Sequence, residues 1–190
     1  MAKTDIRARF TRKALRDGLV ELLKAKSVLD ISIKEICEAA GVSRSTFYAY
    51  YKDQYDLLGQ MEEEIFVEFD KLIQQYSPGR TMLPAKELLM LIEAVLFSIA
   101  GNSNSIQALL SENGERDFQK KFARYFTGRM RQFKVIAAEA PEEERIMNYR
   151  SVFFRDGCIA MLQEWLKTGM DMSVRDMAKL FTRLIRSVLI

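Results

Sequence analysis

A chain of 190 residues with 48% apolar and 29% charged residues has ordinary globular composition, which excludes a disordered or low-complexity polypeptide. It contains no histidine, and its two cysteines, Cys37 and Cys158, lie far apart. The commonest general base, the usual zinc ligand and every Ser–His or Cys–His pair are thereby removed, so no catalytic site, metal site or cofactor is expected.

The net charge of +3 hides an uneven distribution. Residues 1–52 hold eleven Lys/Arg against six Asp/Glu, whereas residues 53–76 hold one against seven. A basic block followed by an acidic helix fits one surface made for a polyanion and a neighbour facing away. The longest apolar run, Leu88 to Ala100, carries Glu93 and is too short to cross a bilayer. The basic opening (Lys3, Arg7, Arg9, Arg12) lacks the apolar stretch of a signal peptide, so a cytoplasmic protein without membrane contact is expected.

Helical periodicity runs throughout, and the fold expected is all-α with about nine helices. The first spans about Asp5 to Lys26, with Phe10, Ala14, Leu15, Leu19, Leu22 and Leu23 on its inner side. Ser32 is placed to cap a short helix from Ile33 to Ala40, with Glu35 in the capping-box position. Gly41 stops that helix in the left-handed conformation a C′ residue often needs. Ser43 caps a second short helix from Arg44 to about Tyr50, and Asp53 a long one to about Tyr76. Beyond the break at Ser77-Pro78-Gly79, helices are expected near Ala85–Ala100, Ser103–Ser111, Glu115–Ala138, Pro141–Thr168 and Ser173–Leu189. The division expected is a first part over residues 1–52 and a second over 53–190, with 53–76 as the helix that connects them.

Two short helices joined at Gly41 have the pattern of a helix-turn-helix. Ile33, Ile36, Cys37 and Ala40 make an apolar face on the first, and Val42, Phe47 and Tyr51 anchor the second. Ala39 and Ala40 are small where helices approach. Arg44, Ser45 and Thr46 are then free near the start of the second helix, where recognition helices meet base edges. Tyr48, Tyr50 and Lys52 suit phosphate oxygens, Ser32 and Lys34 suit the backbone on the other side, and the Ser43-capped terminus offers N–H groups to a phosphate.

With those residues named, the stretch from Thr11 to Leu58 resembles the DNA-binding domain of the tetracycline-repressor (TetR) family of bacterial regulators. Thr11-Arg12, Ser32-Ile-Lys-Glu-Ile, Ala40-Gly-Val-Ser, Ser-Thr-Phe-Tyr48 and Tyr51-Lys-Asp-Gln-Tyr-Asp-Leu-Leu58 carry the match. The resemblance implies backbone contacts from Ser32, Tyr48 and Tyr50 and base-side contacts from Arg44, Ser45 and Thr46. Three departures stand out: Gln54 where the family usually has lysine, Tyr50 where histidine is frequent, and Asp17-Gly18 near a usual pair of alanines, which should weaken the first helix locally.

The resemblance also implies a homodimer, usually a repressor, on a pseudo-palindromic double-stranded operator, controlled by a small molecule or a partner protein. Phe153 to Gly169 resembles a C-terminal type with a small residue mid-helix (Gly157) and a tryptophan before a closing glycine (Trp165, Gly169). Apolar stripes on the last two helices are read as shared between subunits, with Phe154, Gly157, Met161, Trp165, Phe181 and Leu184 in the interface; packing within one subunit is the alternative. Phe97, Phe122, Phe126 and Met130 are candidates for a ligand pocket, and core packing is again the alternative. The basic run 116–134 is a solvated face, an entrance for an acidic ligand or a docking site for a protein. The last possibility gives the competing reading, an adaptor of the same fold with DNA binding secondary.

Overall fold

The computed structural model describes residues 2–79, 83–111, 113, 116–132 and 141–189. Among these, every regular element is helical: α1 (Ala2–Leu23), a 3₁₀ turn (Val28–Asp30), α2 (Ile33–Ala40), α3 (Arg44–Tyr48), α4 (Gln54–Tyr76), α5 (Ala85–Gly101), α6 (Ser103–Leu110), α7 (Arg116–Gln132), α8 (Pro141–Lys167) and α9 (Val174–Leu189). This is the all-α architecture expected. α5, α6, α8 and α9 start and stop within a residue of the positions given by their caps and breakers. The expected extension of α7 to Ala138 falls on 133–140, outside the described residues.

Two ends move inward. α1 closes at Leu23, where the amides of Ala25 and Lys26 both turn back to the Leu22 carbonyl. The chain then bends so that Val28 and Ile31 can be buried. α3 closes at Tyr48, because Tyr50 N–H donates to the Phe47 carbonyl three residues back rather than continuing the α-helical ladder.

The chain divides into two compact units, Met1–Ile65 with Asn104–Gln119 and Phe66–Ser103 with Lys120–Ile190. In the first, α1 packs along α2, and α2 on α3. Leu15, Leu19 and Leu23 recur every four residues on α1 and are fully buried, as are Ile36 and Phe47; each such side chain contributes about 1.5–3 kcal/mol of burial. Tyr51 is also buried, its ring 5.8 Å from that of Phe47.

Gly18 is the hinge of that packing. A Cβ there would stand 3.2 Å from the Ala40 nitrogen, 3.2 Å from the Ile36 carbonyl oxygen and 3.3 Å from Ala39 Cβ. The glycine that costs α1 helix propensity therefore lets its backbone lie directly against α2. Phe10 corrects the expected inner face: it is 70% exposed. It lies five residues before Leu15, about 140° around the helix, on the far edge of the stripe.

In the second unit α9 packs chiefly along α5 and touches α8. Gly79, at the Ser77-Pro78-Gly79 break, takes φ +66°, and the buried Ser77 hydroxyl donates to the Ile73 carbonyl at 2.9 Å. α8 ends with Gly169 at φ +73° and Met170 at φ +61°. There Met170 N–H donates to the Trp165 carbonyl at 2.8 Å, a Schellman-type closure. Trp165 itself is 2% exposed, with its indole N–H donated to the Met172 carbonyl at 2.9 Å.

Candidate nucleic-acid interface

The α2–α3 pair is built by its caps. Ser32 accepts the Glu35 amide and Glu35 reaches back to the Ser32 amide at 3.0 Å, a complete capping box. A second bond, to Lys26 Nζ at 2.5 Å, steadies the same carboxylate. This lysine first, then the Ser32 amide and hydroxyl, hold the Glu35 carboxyl down to about 2. Gly41 sits at φ +64°, ψ +33°, and its amide returns to the last turn of α2. Ser43 then caps α3, accepting the Thr46 amide at 3.2 Å.

Around this frame the candidate contact residues lie as follows. Arg44, Ser45, Tyr48 and Lys52 are exposed, and Thr46 and Tyr50 are half-buried. The hydroxyls of Ser45 and Thr46 turn back to Ser43 Oγ, at 2.8 and 2.9 Å, so the cap engages them in the free protein. Tyr48 is 58% exposed, with its ring edge-on to Phe47 at 5.7 Å. The guanidinium of Arg12 lies 5.4 Å over the Tyr50 ring, a cation–π contact between α1 and the end of the α3 turn. Ser32 and Lys34 are exposed at the start of α2, where Lys34 pairs loosely with Glu38 at 3.7 Å. The Lys52 amide is taken by Asp56, one of the acids opening α4.

A groove between α1 and α3 is lined by Arg7, Thr11, Ser43, Ser45, Thr46 and Tyr50. Arg7 and Arg12 are thus part of the same basic surface as α3. Neither is among the contact residues expected from the sequence, where Arg7 is read as charge and Arg12 as charge and as part of the family match; the signal is the row Arg9, Arg12, Lys13 and Arg16 with Arg7, which an N-terminal helix must bring beside whatever packs on it.

In the second unit a cavity of about 160 Å³ has almost wholly apolar walls. Phe122 and Phe126 line it, as do Leu91 and Val95 from α5 and Ile185 from α9. Phe97 does not: it is 72% exposed. It stands two residues from both Val95 and Ile99, about 200° around α5 from the wall they form. The side chain of Met130 lies outside the described residues.

The expected interface residues divide. Phe154, Trp165 and Phe181 are buried within the chain's own unit, Met161 and Leu184 are half-buried, and Gly157 is exposed. Phe154, Cys158, Leu162 and Trp165 form the inward row of α8, so the first, the last and Phe181 are core rather than interface. The open row is Ile146, Tyr149, Phe153 and Gly157, with Tyr149 76% and Phe153 78% exposed. A Cβ on Gly157 would meet nothing within 4 Å.

The sequence agrees with this geometry. Residues 15–61 match the profile described as bacterial regulatory proteins of the tetR family, and residues 86–187, more than half the chain, match its transcriptional regulator C-terminal region. The chain belongs to the TetR family.

This TetR-family transcriptional regulator therefore carries its helix-turn-helix in α2 and α3, and the family is one of regulators rather than enzymes. The HTH-type transcriptional regulator AcrR of Shigella flexneri is 31% identical over 91 residues, which cover 46% of this chain and 42% of AcrR. The match thus spans less than half the length of that curated relative. Among solved structures, the fold resembles NalD, the secondary repressor of the MexAB-OprM multidrug efflux pump in Pseudomonas aeruginosa (19% identity, 94% of each chain, TM-score 0.65). It also resembles FadR of Bacillus subtilis, solved in complex with stearoyl-CoA (17% identity, 93% and 98% of the chains, TM-score 0.61). Among the described residues no single helix of the TetR-family chain is long and apolar enough to cross a membrane.

Proposed function

We propose that this regulator is a homodimer that reads a pseudo-palindromic operator with α3, in the cytoplasm, and represses transcription until an effector occupies its second unit. One observation carries the reading: a doubly capped, glycine-turned helix pair leaves Arg44 and Ser45 exposed beside a groove lined with Arg7 and Thr11. Such a surface offers guanidinium and hydroxyl groups to base edges, with cationic and phenolic groups around them for phosphates. In this reading Arg44, Ser45 and Thr46 face bases, while Ser32, Lys34, Ser43, Tyr48, Tyr50 and Lys52 hold the backbone. Ser45 and Thr46 give up their bonds to Ser43 on docking.

Two such helices on one face of DNA must sit about one helical turn, ~34–36 Å, apart. The pairing surface favoured is the open row of α8, where three large apolar side chains stand beside Gly157, small enough to let a second helix approach. The adaptor alternative leans on the basic run 116–134, but one of its cations, Arg129, is already paired with Asp70.

The test compares operator and random duplex at physiological salt. Arg44→Ala should cost about 1–3 kcal/mol at one base pair and relax sequence preference there. Tyr48→Phe should weaken binding to every duplex alike. A wild-type affinity ratio near one would favour the adaptor.

A further inference from the structure

The walls of the second unit's cavity come from five helices: Phe69 and Ile73 on α4, Leu91 on α5, Phe122 on α7, Leu162 on α8 and Ile185 on α9. Among the described residues, polar groups enter at only a few points. Cys158 is one, and burial pushes its thiol up to about 12, so it presents a neutral S–H. Tyr125 and Arg129 are the others, and both are engaged. The Tyr125 hydroxyl donates to Asp70 Oδ1 at 2.6 Å, and the Arg129 guanidinium pairs with the same oxygen while lying 5.0 Å over the Tyr125 ring. Burial, then the bond to Asp70, holds the phenol above its ordinary range.

The cavity is therefore charge-balanced. A carboxylate entering it would have to take Arg129 from Asp70 and leave that acid uncompensated. An ammonium would find Asp70 already holding a cation and a phenol proton. Either ion would lose its hydration against hydrocarbon walls with no partner to replace it. An uncharged apolar molecule loses nothing of the kind and gains dispersion contacts with the surrounding rings and methyl groups. The volume, about 160 Å³, is that of a dry cavity able to hold a benzene-sized guest.

From this we infer that the cavity binds a small, uncharged, hydrocarbon-like molecule, single-ring in size, and discriminates against organic acids and amines of the same shape. The inference deepens the effector role proposed above and rests on it for its biological meaning. It also chooses among the readings of the basic run 116–134: in the part that reaches the cavity, Arg129 serves a neutral wall rather than an anion entrance.

The experiment uses the full chain and a single-ring series, toluene, benzoate and benzylammonium, with nitrobenzene as the uncharged match in shape to benzoate, followed by calorimetric titration and by the shift in Tm. Toluene should bind at least tenfold more tightly than either ion, and Leu162→Trp, which fills the space, should abolish its binding while far-UV circular dichroism stays native. In Asp70→Asn the guanidinium loses its ion pair with residue 70, leaving net positive charge beside the cavity, so the preference for toluene over benzoate should shrink at least tenfold. Benzoate or benzylammonium binding as tightly as toluene overturns the inference. So does an Asp70→Asn variant with an unchanged ratio, or the absence of saturable toluene binding. Affinity for operator duplex is measured with and without toluene in the same samples. Toluene binding that leaves operator affinity unmoved supports the ligand class and rejects the effector role; specific operator binding with no toluene binding rejects the ligand class and leaves the operator reading standing.

Discussion

α2 with α3 and α8 with α9 are both helix pairs joined through a glycine with positive φ, Gly41 at +64° and Gly169 at +73°. They differ in what each helix leaves undecided. α2 is eight residues long with one apolar face, so its serine cap, its capping-box glutamate and its glycine settle where it starts, stops and turns. α8 runs for 27 residues and carries aromatic side chains on different sides, Phe154 inward and Phe153 outward. Consecutive residues on a helix point about 100° apart, so two adjacent phenylalanines can face different surroundings, as these do. One pair is specified by local chemistry, the other by what packs on it.

That contrast can be broken at Phe153. If the open row of α8 is a twofold seam, Phe153→Asp places the change twice in one interface and should raise the dimer dissociation constant roughly a thousandfold. Sedimentation equilibrium would register it, with helix content unchanged because the side chain is exposed in the single chain. A dimer as tight as wild type would remove α8 from the interface.

A smaller effect sharpens the other side. Alanine favours helices over glycine by up to about 1 kcal/mol, yet Gly18→Ala should destabilise the first unit by about 1–3 kcal/mol in urea unfolding. Its Cβ would press on the Ala40 nitrogen and Ile36 carbonyl, backbone atoms that move only if α1 and α2 separate. A gain in stability would mean that the two helices part easily.

The smallest effect concerns the capping box. Glu35 titrates near 2 in the folded chain, below its ordinary value of about 4.5, so its bonds to Lys26 and Ser32 contribute fully above pH 4.5 and fade as the pH falls toward 2. The Tm gap between wild type and Glu35→Gln should narrow over that window. A gap that is the same at pH 7 and pH 2.5 would show that the charge on Glu35 contributes nothing.

The same contrast explains what the sequence made legible. Ser32, Glu35, Gly41 and Ser43 act on backbone groups within four residues, so their roles followed from spacing alone, and the helices they bound appeared where expected. Gly18 looked like a flaw because its reason lies in α2, eighteen or more residues away. The stripe containing Phe154 and Trp165 was recognised as apolar, but periodicity does not say whether a face meets its own chain or a copy. Phe97 and Phe10 were misplaced for a simpler cause, an angular offset that counting residues would have shown. Arg7 was seen as charge and Arg12 as charge and part of the family match, and only the packing of α1 on the helix pair gave them an address near α3.

The burial of Gly18, Ile36 and Phe47 beneath an outward-facing Arg44 and Ser45 has an evolutionary consequence. The parts that keep the head folded are different from those it turns outward. A lineage, or an engineer, can therefore exchange the outward residues while the scaffold survives each intermediate step.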